Sequence, residues 1–235
     1  MPAILTAIPI YNECRHIDDV LRSVRQYADD ILAIDDGSTD GTSDLLKKHN
    51  GLRIISHKKN MGYGQSLIDA FGYAAENHFH WVITIDCDHQ HQPSYIPKFL
   101  RAIQADDVDI ISGSRYLFPI DHRTLPPPAD RMAINKKVTN ILNERLNLNL
   151  TDSFCGFKAY RVRAIRGLEL MEKGYGFPLQ FWIRARQARL RIREIPVPLI
   201  YHDPSKNFNG PLADPKVRWN YYLEILEKEL AGAMV

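Results

Sequence analysis

Five short apolar runs punctuate the first 115 residues: ILTAIPI from position 4, ILAID from 31, RIIS from 53, WVITI from 81 and VDIISGS from 108. Runs of this length without alternation have no polar face to turn to water, so both sides of any sheet they form must be covered. Between them lie stretches with apolar residues at helical spacing: HIDDVLRSVRQYA, TSDLLKKH, QSLIDAFGYAAENH and SYIPKFLRAIQ. Parallel strands need crossovers long enough to hold a helix, and these segments supply them. The alternation predicts an α/β fold, a mostly parallel sheet with helices on both faces. Ligands of such sheets gather at the carboxyl ends of the strands. The polar clusters sit there: Asn12 and Glu13 after the first run, Asp35 and Asp36 after the second, Asp86 and Asp88 after the fourth, Ser114 and Arg115 after the fifth.

The second half is less regular. Positions 117 to 130 hold four prolines and predict an irregular loop near the active face. Helices are expected over RMAINKKVTNILNERL, from Ile165 to Lys173, and over FPLQFWIRARQAR, then a strand at IREIPVPLI and a polar loop from Pro204 to Pro215. In the final PKVRWNYYLEILEKELA, Val217, Tyr221, Ile225 and Leu226 are expected on one helical face. No repeat or linker interrupts the 235 residues, so one domain spanning 1–235 is predicted.

Composition bounds the partners. Thirty basic against 28 acidic side chains give a charge of +2, too balanced for a protein that holds nucleic acid by counterion release. Cys14, Cys87 and Cys155 are odd in number and widely spaced, as expected of reduced thiols in the cytoplasm. The N-terminal run meets Pro9 and Glu13 at once and is expected to be a buried strand, not a leader. No run approaches the ~20 apolar residues of a bilayer span, so any membrane contact is expected to be peripheral.

Two carboxylates at i and i+2 beyond a strand, Asp86 and Asp88, can converge on a hard divalent cation, with Gln90 as a further oxygen donor. The same pair could instead cap the helix that follows. His89 and His91 fit surface groups or substrate contacts better than metal ligands, and His202 follows a late strand from which it could close over the site. In AIDDGSTDGT, Asp36 ends a strand as an acceptor suited to the N–H of a nucleobase, with Tyr11 and Glu13 as neighbours. NMGYGQSL lacks the third glycine of a dinucleotide fingerprint and follows the third strand, which rejects a dehydrogenase. Its Gly62 and Gly64 instead suggest a tight turn and a close backbone approach to a ligand. Arg115, Arg131, Lys158 and Lys206 fall around the same rim, where fixed cations suit phosphates. The arginines of RARQARLRIRE read as a solvated face that could also meet anionic lipid.

IPIYNE, DDGSTDGT, NMGYGQS, DCDHQHQP, GSRY and DSFCGFKAY, in this order, resemble the family 2 glycosyltransferases of GT-A (Rossmann-like) fold, and within them the dolichol-phosphate mannose synthase branch. The resemblance covers roughly residues 1 to 200. It implies a GDP- or UDP-sugar donor bound by residues 1–115 and an acceptor site built by residues 116–235. It further implies Mg²⁺ or Mn²⁺ near Asp86, Asp88 and Gln90, with Pro9, Tyr11, Glu13 and Gly64 around a base read by Asp36. Arg115 and Arg131 would face phosphates, Asp152 would lie beside the reacting sugar, and Ser114, Lys158, His202 and Lys206 would meet the acceptor or its phosphate. Cys155 and Gln180 depart from the family pattern, where serine and often glutamate stand.

The implied reaction is inverting transfer of a sugar from its nucleotide. A polyprenyl phosphate acceptor at a membrane surface arrives anionic and needs no strong base, since its second pKa is about 6. A hydroxyl acceptor needs one, and Asp152 is the candidate. A metal-dependent phosphotransferase or phosphatase with Asp86 as nucleophile, and a nucleotide-sugar-binding protein without turnover, are the alternatives. Oligomeric state is open.

Overall fold

The computed structural model describes residues 2–117, 128–200 and 210–232. Seven strands form one sheet: β1 (Ile4–Ile10), β2 (Ile31–Asp35), β3 (Arg53–Ser56), β4 (Trp81–Thr84), β5 (Ile110–Ser114), β6 (Lys158–Arg161) and β7 (Ile192–Pro196). Their order is β3-β2-β1-β4-β6-β5-β7. Every neighbouring pair is parallel except those of β6, which runs antiparallel between β4 and β5. The α/β reading therefore holds.

The helices are α1 (Ile17–Val24), α2 (Thr42–Leu46), α3 (Tyr63–Glu76), α4 (Ile96–Gln104), α5 (Ala129–Leu146), α6 (Val162–Ile165), α7 (Phe177–Gln187) and α8 (Pro215–Ala231). Alternation along the strands sorts the core into two layers. Leu5, Ala7, Leu32 and Ile34 face α3, α5, α7 and α8, whereas Ile8, Ile10, Ile31 and Ala33 face α1 and α4.

Two expectations are corrected. The helix placed from Ile165 to Lys173 is a single turn at Val162–Ile165. Beyond it the Met171 and Glu172 N–H groups donate to the Gln180 side-chain oxygen (2.7 and 2.8 Å), a partner that replaces helical bonds. On α8 the buried face is Arg218, Tyr222, Ile225, Leu226 and Glu229, while Val217 is exposed. The face turns because Gln180 and Arg184 on α7 bond Glu229. The arginine run stays a solvated face: Arg186, Arg189, Arg191 and Arg193 are exposed, Arg191 and Arg193 pairing with Asp109 and Asp107 at the surface, and Arg184 alone is half-buried, against Glu229. Most of the proline-rich loop, and His202 and Lys206 with theirs, lie outside the described residues.

Candidate functional site

The carboxyl ends of β1, β2 and β4 open into a cleft of about 710 Å³ whose other wall comes from α5, α8 and residues 174–178. Loop chemistry on the first two strands builds one rim. The Asn12 N–H donates to Ser38 Oγ (2.9 Å), Thr39 N–H to Asn12 Oδ1 (2.8 Å), Glu13 N–H to Thr42 Oγ1 (2.9 Å) and Cys14 N–H to Asp40 (3.0 Å). Burial alone would raise the Asp40 pKa, but its bonds from Thr42 and the Cys14 N–H lower it to about 2, so it stays anionic. This stitching sets Pro9, Tyr11 and Glu13 beside Asp36 on the cleft. Gly37 makes the turn at φ +73°, and a Cβ there would stand 2.7 Å from Lys59 Cα.

Asp36 is 3% exposed and receives three donors: Met61 N–H (2.7 Å) and His57 Nδ1 (2.7 Å) on Oδ1, and Gly62 N–H (2.9 Å) on Oδ2. His57 Nε2 faces Asp69 at 2.7 Å. Burial opposes charge on His57, yet the bonds to the two carboxylates outweigh it and raise its pKa. His57 and Asp69 carried no signal in the sequence, because only the fold brings β3, α3 and the end of β2 together.

Asp86, Asp88 and Gln90 all line the cleft. Tyr63 Oη donates to Asp86 (3.3 Å), and the Asp86 carboxylate rests on Gly156, where a Cβ would come within 2.6 Å of Oδ1 and closer to Oδ2. His91 is buried instead of exposed. Its Nδ1 accepts the Asp86 N–H (3.2 Å), its other nitrogen faces Cys155 Sγ at 3.7 Å, and burial pushes its pKa down to about 4. A neutral histidine thus props the loop from below. Among the described residues no three His, Cys, Asp or Glu side chains form a metal cage. Two carboxylates and an amide oxygen on an open cleft fit an Mg²⁺ or Mn²⁺ ion that completes its shell with water and substrate phosphates. The cradle at Gly156 supports the same fit, since it leaves the Asp86 carboxylate room where any side chain would push it away.

Arg115 and Arg131 reach the cleft, and Arg218 joins them, an arginine that the sequence left unmarked on α8. Arg115 is held by Asp152 through Nε (2.6 Å) and Nη2 (2.9 Å). Asp152 is 0% exposed and also accepts from Asn135 Nδ2 (3.1 Å). Burial would raise its pKa, but Arg115 and these bonds hold it well below the usual carboxylate range. Asp152, expected as the base for a hydroxyl acceptor, is thus enclosed and spends its oxygens on Arg115 and Asn135, holding the Arg115 guanidinium. Glu194 supports it, accepting the Thr151 (2.8 Å) and Asp152 (3.1 Å) N–H groups.

Three other expected contacts lie elsewhere. Lys158 opens β6 inside the sheet, 3% exposed, donating to the Cys155 carbonyl and lying 5.4 Å from the Trp182 ring centre, so it is no rim cation. Ser114 is fully buried and paired with Thr151 Oγ1. The close approach at Gly64 is to the chain itself: a Cβ would stand 2.9 Å from the Lys173 carbonyl carbon and from Phe177 Cβ. Gly62, Tyr63 and Ser66 face the cleft in its place.

A sequence profile described as Glycosyl transferase family 2 matches residues 6–168. The chain is 29% identical over 230 residues to undecaprenyl-phosphate mannosyltransferase of Micrococcus luteus, covering 92% of this chain and 93% of that protein. It is also 29% identical over 222 residues to UDP-N-acetylglucosamine–dolichyl-phosphate N-acetylglucosaminyltransferase of Methanococcus voltae, covering 84% and 86%. The fold is similar to that of glucosyl-3-phosphoglycerate synthase from Mycobacterium tuberculosis, solved with Mn²⁺, UDP and glucosyl-3-phosphoglycerate. The TM-score is 0.74 at 18% identity, over 98% of this chain and 80% of that one. The same enzyme with Mg²⁺ and UDP gives a TM-score of 0.75 at 18% identity, with the same coverage.

Proposed function

Because the chain belongs to glycosyltransferase family 2 and transfers a sugar from a nucleotide-sugar donor, we propose that its acceptor is a polyprenyl phosphate and that transfer inverts the anomeric centre. The carrying observation is the composition of the cleft. Asp36, Asp86 and Asp88 from the strand ends meet Arg115, Arg131 and Arg218, with no available base in the enclosed Asp152.

Residues 1–115 take the donor in this reading, and residues 116–235 take the acceptor. Asp36 receives the base. Asp86, Asp88 and Gln90 would hold Mg²⁺ or Mn²⁺, which when bound supplies Lewis-acid neutralisation of the diphosphate. Arg115, fixed by Asp152, and Arg131 stabilise charge gathering on the departing nucleoside diphosphate. An acceptor phosphate oxygen forms the new bond to the anomeric carbon as the bond to the diphosphate breaks on the opposite face. No proton need be removed, because the acceptor oxygen is already anionic near neutral pH. Met132, Ile134, Phe154 and Tyr222 in the second half of the cleft give the first carbons of a prenyl chain an apolar wall. Both relatives named above carry a polyprenyl or dolichyl phosphate in their names. Among the described residues no helix is long and apolar enough to cross a membrane.

The test is transfer of labelled sugar from GDP- and UDP-sugars to undecaprenyl and dolichyl phosphate with Mn²⁺. Glycolipid should form and a nucleoside diphosphate be released, and Asp88→Asn should abolish both. Transfer to a free hydroxyl compound but to neither lipid would overturn the acceptor.

A further inference from the structure

A single exposed aromatic ring is usually incidental, but Tyr175 is 43% exposed, lines the cleft and stands on a segment that the fold holds in place. The Gly174 N–H donates to Glu172 Oε1 (2.9 Å) and the Gly176 N–H to Tyr221 Oη (3.1 Å), which itself donates to Glu172 Oε1 (2.8 Å). On the other side the Lys173 carbonyl accepts the Gln65 N–H in the first turn of α3 (3.1 Å). The ring is thus preorganised between α3 and α8 before any ligand arrives.

Tyr175 stacks on Tyr63, the two ring planes 12° apart and their centres at 6.3 Å. Tyr63 in turn donates to Asp86, so Tyr175 is the next layer out from the Asp86 loop. The electrostatics agree. Burial raises the pKa of the Tyr175 hydroxyl first, Asp86 next and Asp36 after it, while Arg131 opposes them. The side of the ring turned away from Tyr63 is the one offered to the cleft.

Each part of the two substrates asks something different of such a face. Diphosphate oxygens are repelled by the negative π cloud of an aromatic ring. The base, read at Asp36, has an aromatic neighbour of its own in the exposed Tyr11, on the loop beyond β1. A prenyl chain has the wall of Met132, Ile134, Phe154 and Tyr222. The sugar remains. One face of a pyranose ring carries C–H groups whose positive polarisation matches that cloud, and the sugar hangs from the diphosphate that the Asp86 loop would hold.

We propose that Tyr175 is a specificity-determining residue for the donor: its open ring face carries the C–H face of the transferred sugar, so that a residue of the second half of the chain completes the donor site. The inference rests on the donor-site reading above and adds the sugar subsite to it.

Calorimetric titration of the full chain in Mn²⁺ tests it, comparing UDP with UDP-glucose and UDP-N-acetylglucosamine, and GDP with GDP-mannose. For the donor that the wild type binds tightest, Tyr175→Ala should weaken the sugar nucleotide about five- to tenfold and the bare diphosphate less than about twofold. Tyr175→Leu, which keeps the bulk and loses the ring, should behave like alanine, and Tyr175→Phe, which keeps the ring, like the wild type. Loss of packing alone would weaken nucleotide and sugar nucleotide together. Should alanine disturb the segment, seen as a lowered melting temperature, leucine against phenylalanine decides. Equal weakening of diphosphate and sugar nucleotide, or a ratio that neither alanine nor leucine moves for any of the three sugars, would overturn the assignment. If the bare diphosphate still binds in a manganese-dependent way in that case, the donor site stands and only the sugar contact falls. If no nucleotide binds, both fall.

Discussion

Replacing Gly156 by alanine probes the metal site without touching a ligand atom. The residue is not among the glycines at positive φ, so alanine is compatible with its backbone and would by itself be neutral or slightly stabilising. The new methyl, however, would stand 2.6 Å from Asp86 Oδ1 and 2.8 Å from its carboxyl carbon. The other carboxylate oxygen, Oδ2, would stand closer still, so reaching ordinary contact requires a retreat of about 1 Å, by the Asp86 side chain or by the strand pair beneath it. The strand pair resists: Thr84 Oγ1 donates to the Gly156 carbonyl at 2.6 Å, and β4 and β6 are in register from Trp81 with Arg161 to Thr84 with Lys158. The carboxylate therefore moves. Metal–oxygen distances tolerate only about 0.2 Å, and a misplacement near 1 Å in a reacting constellation costs on the order of 100-fold. Gly156→Ala should thus lower kcat/KM by about 30- to 100-fold, some 2–3 kcal/mol, and weaken Mn²⁺ binding. The thermal midpoint should stay within a few degrees. Manganese titration in the presence of a nucleoside diphosphate, with kinetics and melting on the same preparation, measures all three. Wild-type Mn²⁺ affinity and activity in a folded Gly156→Ala protein would refute the reasoning.

Asp152→Asn should cost about 3–5 kcal/mol of stability by leaving Arg115 buried without its counter-charge, read as a lower denaturant midpoint, and should slow transfer whatever the acceptor. Effects confined to an alcohol acceptor would restore Asp152 as a base. Gln180→Ala removes the oxygen shared by Met171 and Glu172 and should cost about 1–3 kcal/mol, with faster amide exchange at those two positions. Unchanged exchange there would refute its role. The raised pKa of His57 stabilises the fold fully below pH ~6.5 and loses that contribution as pH rises through its folded value. The melting-temperature difference between wild type and His57→Asn should therefore shrink on going alkaline, and a difference that grows would reverse the sign argued for the bonds of His57 to Asp36 and Asp69.

Much of the site was legible because its residues are local to strand ends. Asp36, Asp86, Asp88 and Arg115 each follow an apolar run directly, so knowing that the runs are parallel strands was enough to gather them at one edge. Lys158 and Ser114 satisfied the same rule of position and still turned inward. Exposure depends on which strand lies alongside, and β6 enters the sheet antiparallel between β4 and β5. His91 misled for a related reason: a polar loop read in isolation gave no sign that Cys155 and Phe157 would close over its ring.

The sequence by itself determined the layered α/β architecture and the ends of the strands where chemistry gathers, because burial periodicity and turn-forming residues act over a few positions. Tertiary structure alone decided that Asp152 is an anchor, that Gly156 cradles Asp86, and that His57 stands between Asp36 and Asp69. Those roles are relations between residues 12 to 70 positions apart, set by how helices lie across the sheet. Whether a carboxylate is a base, a ligand or a counter-ion depends on which donors the fold brings to its two oxygens, and no local pattern encodes that.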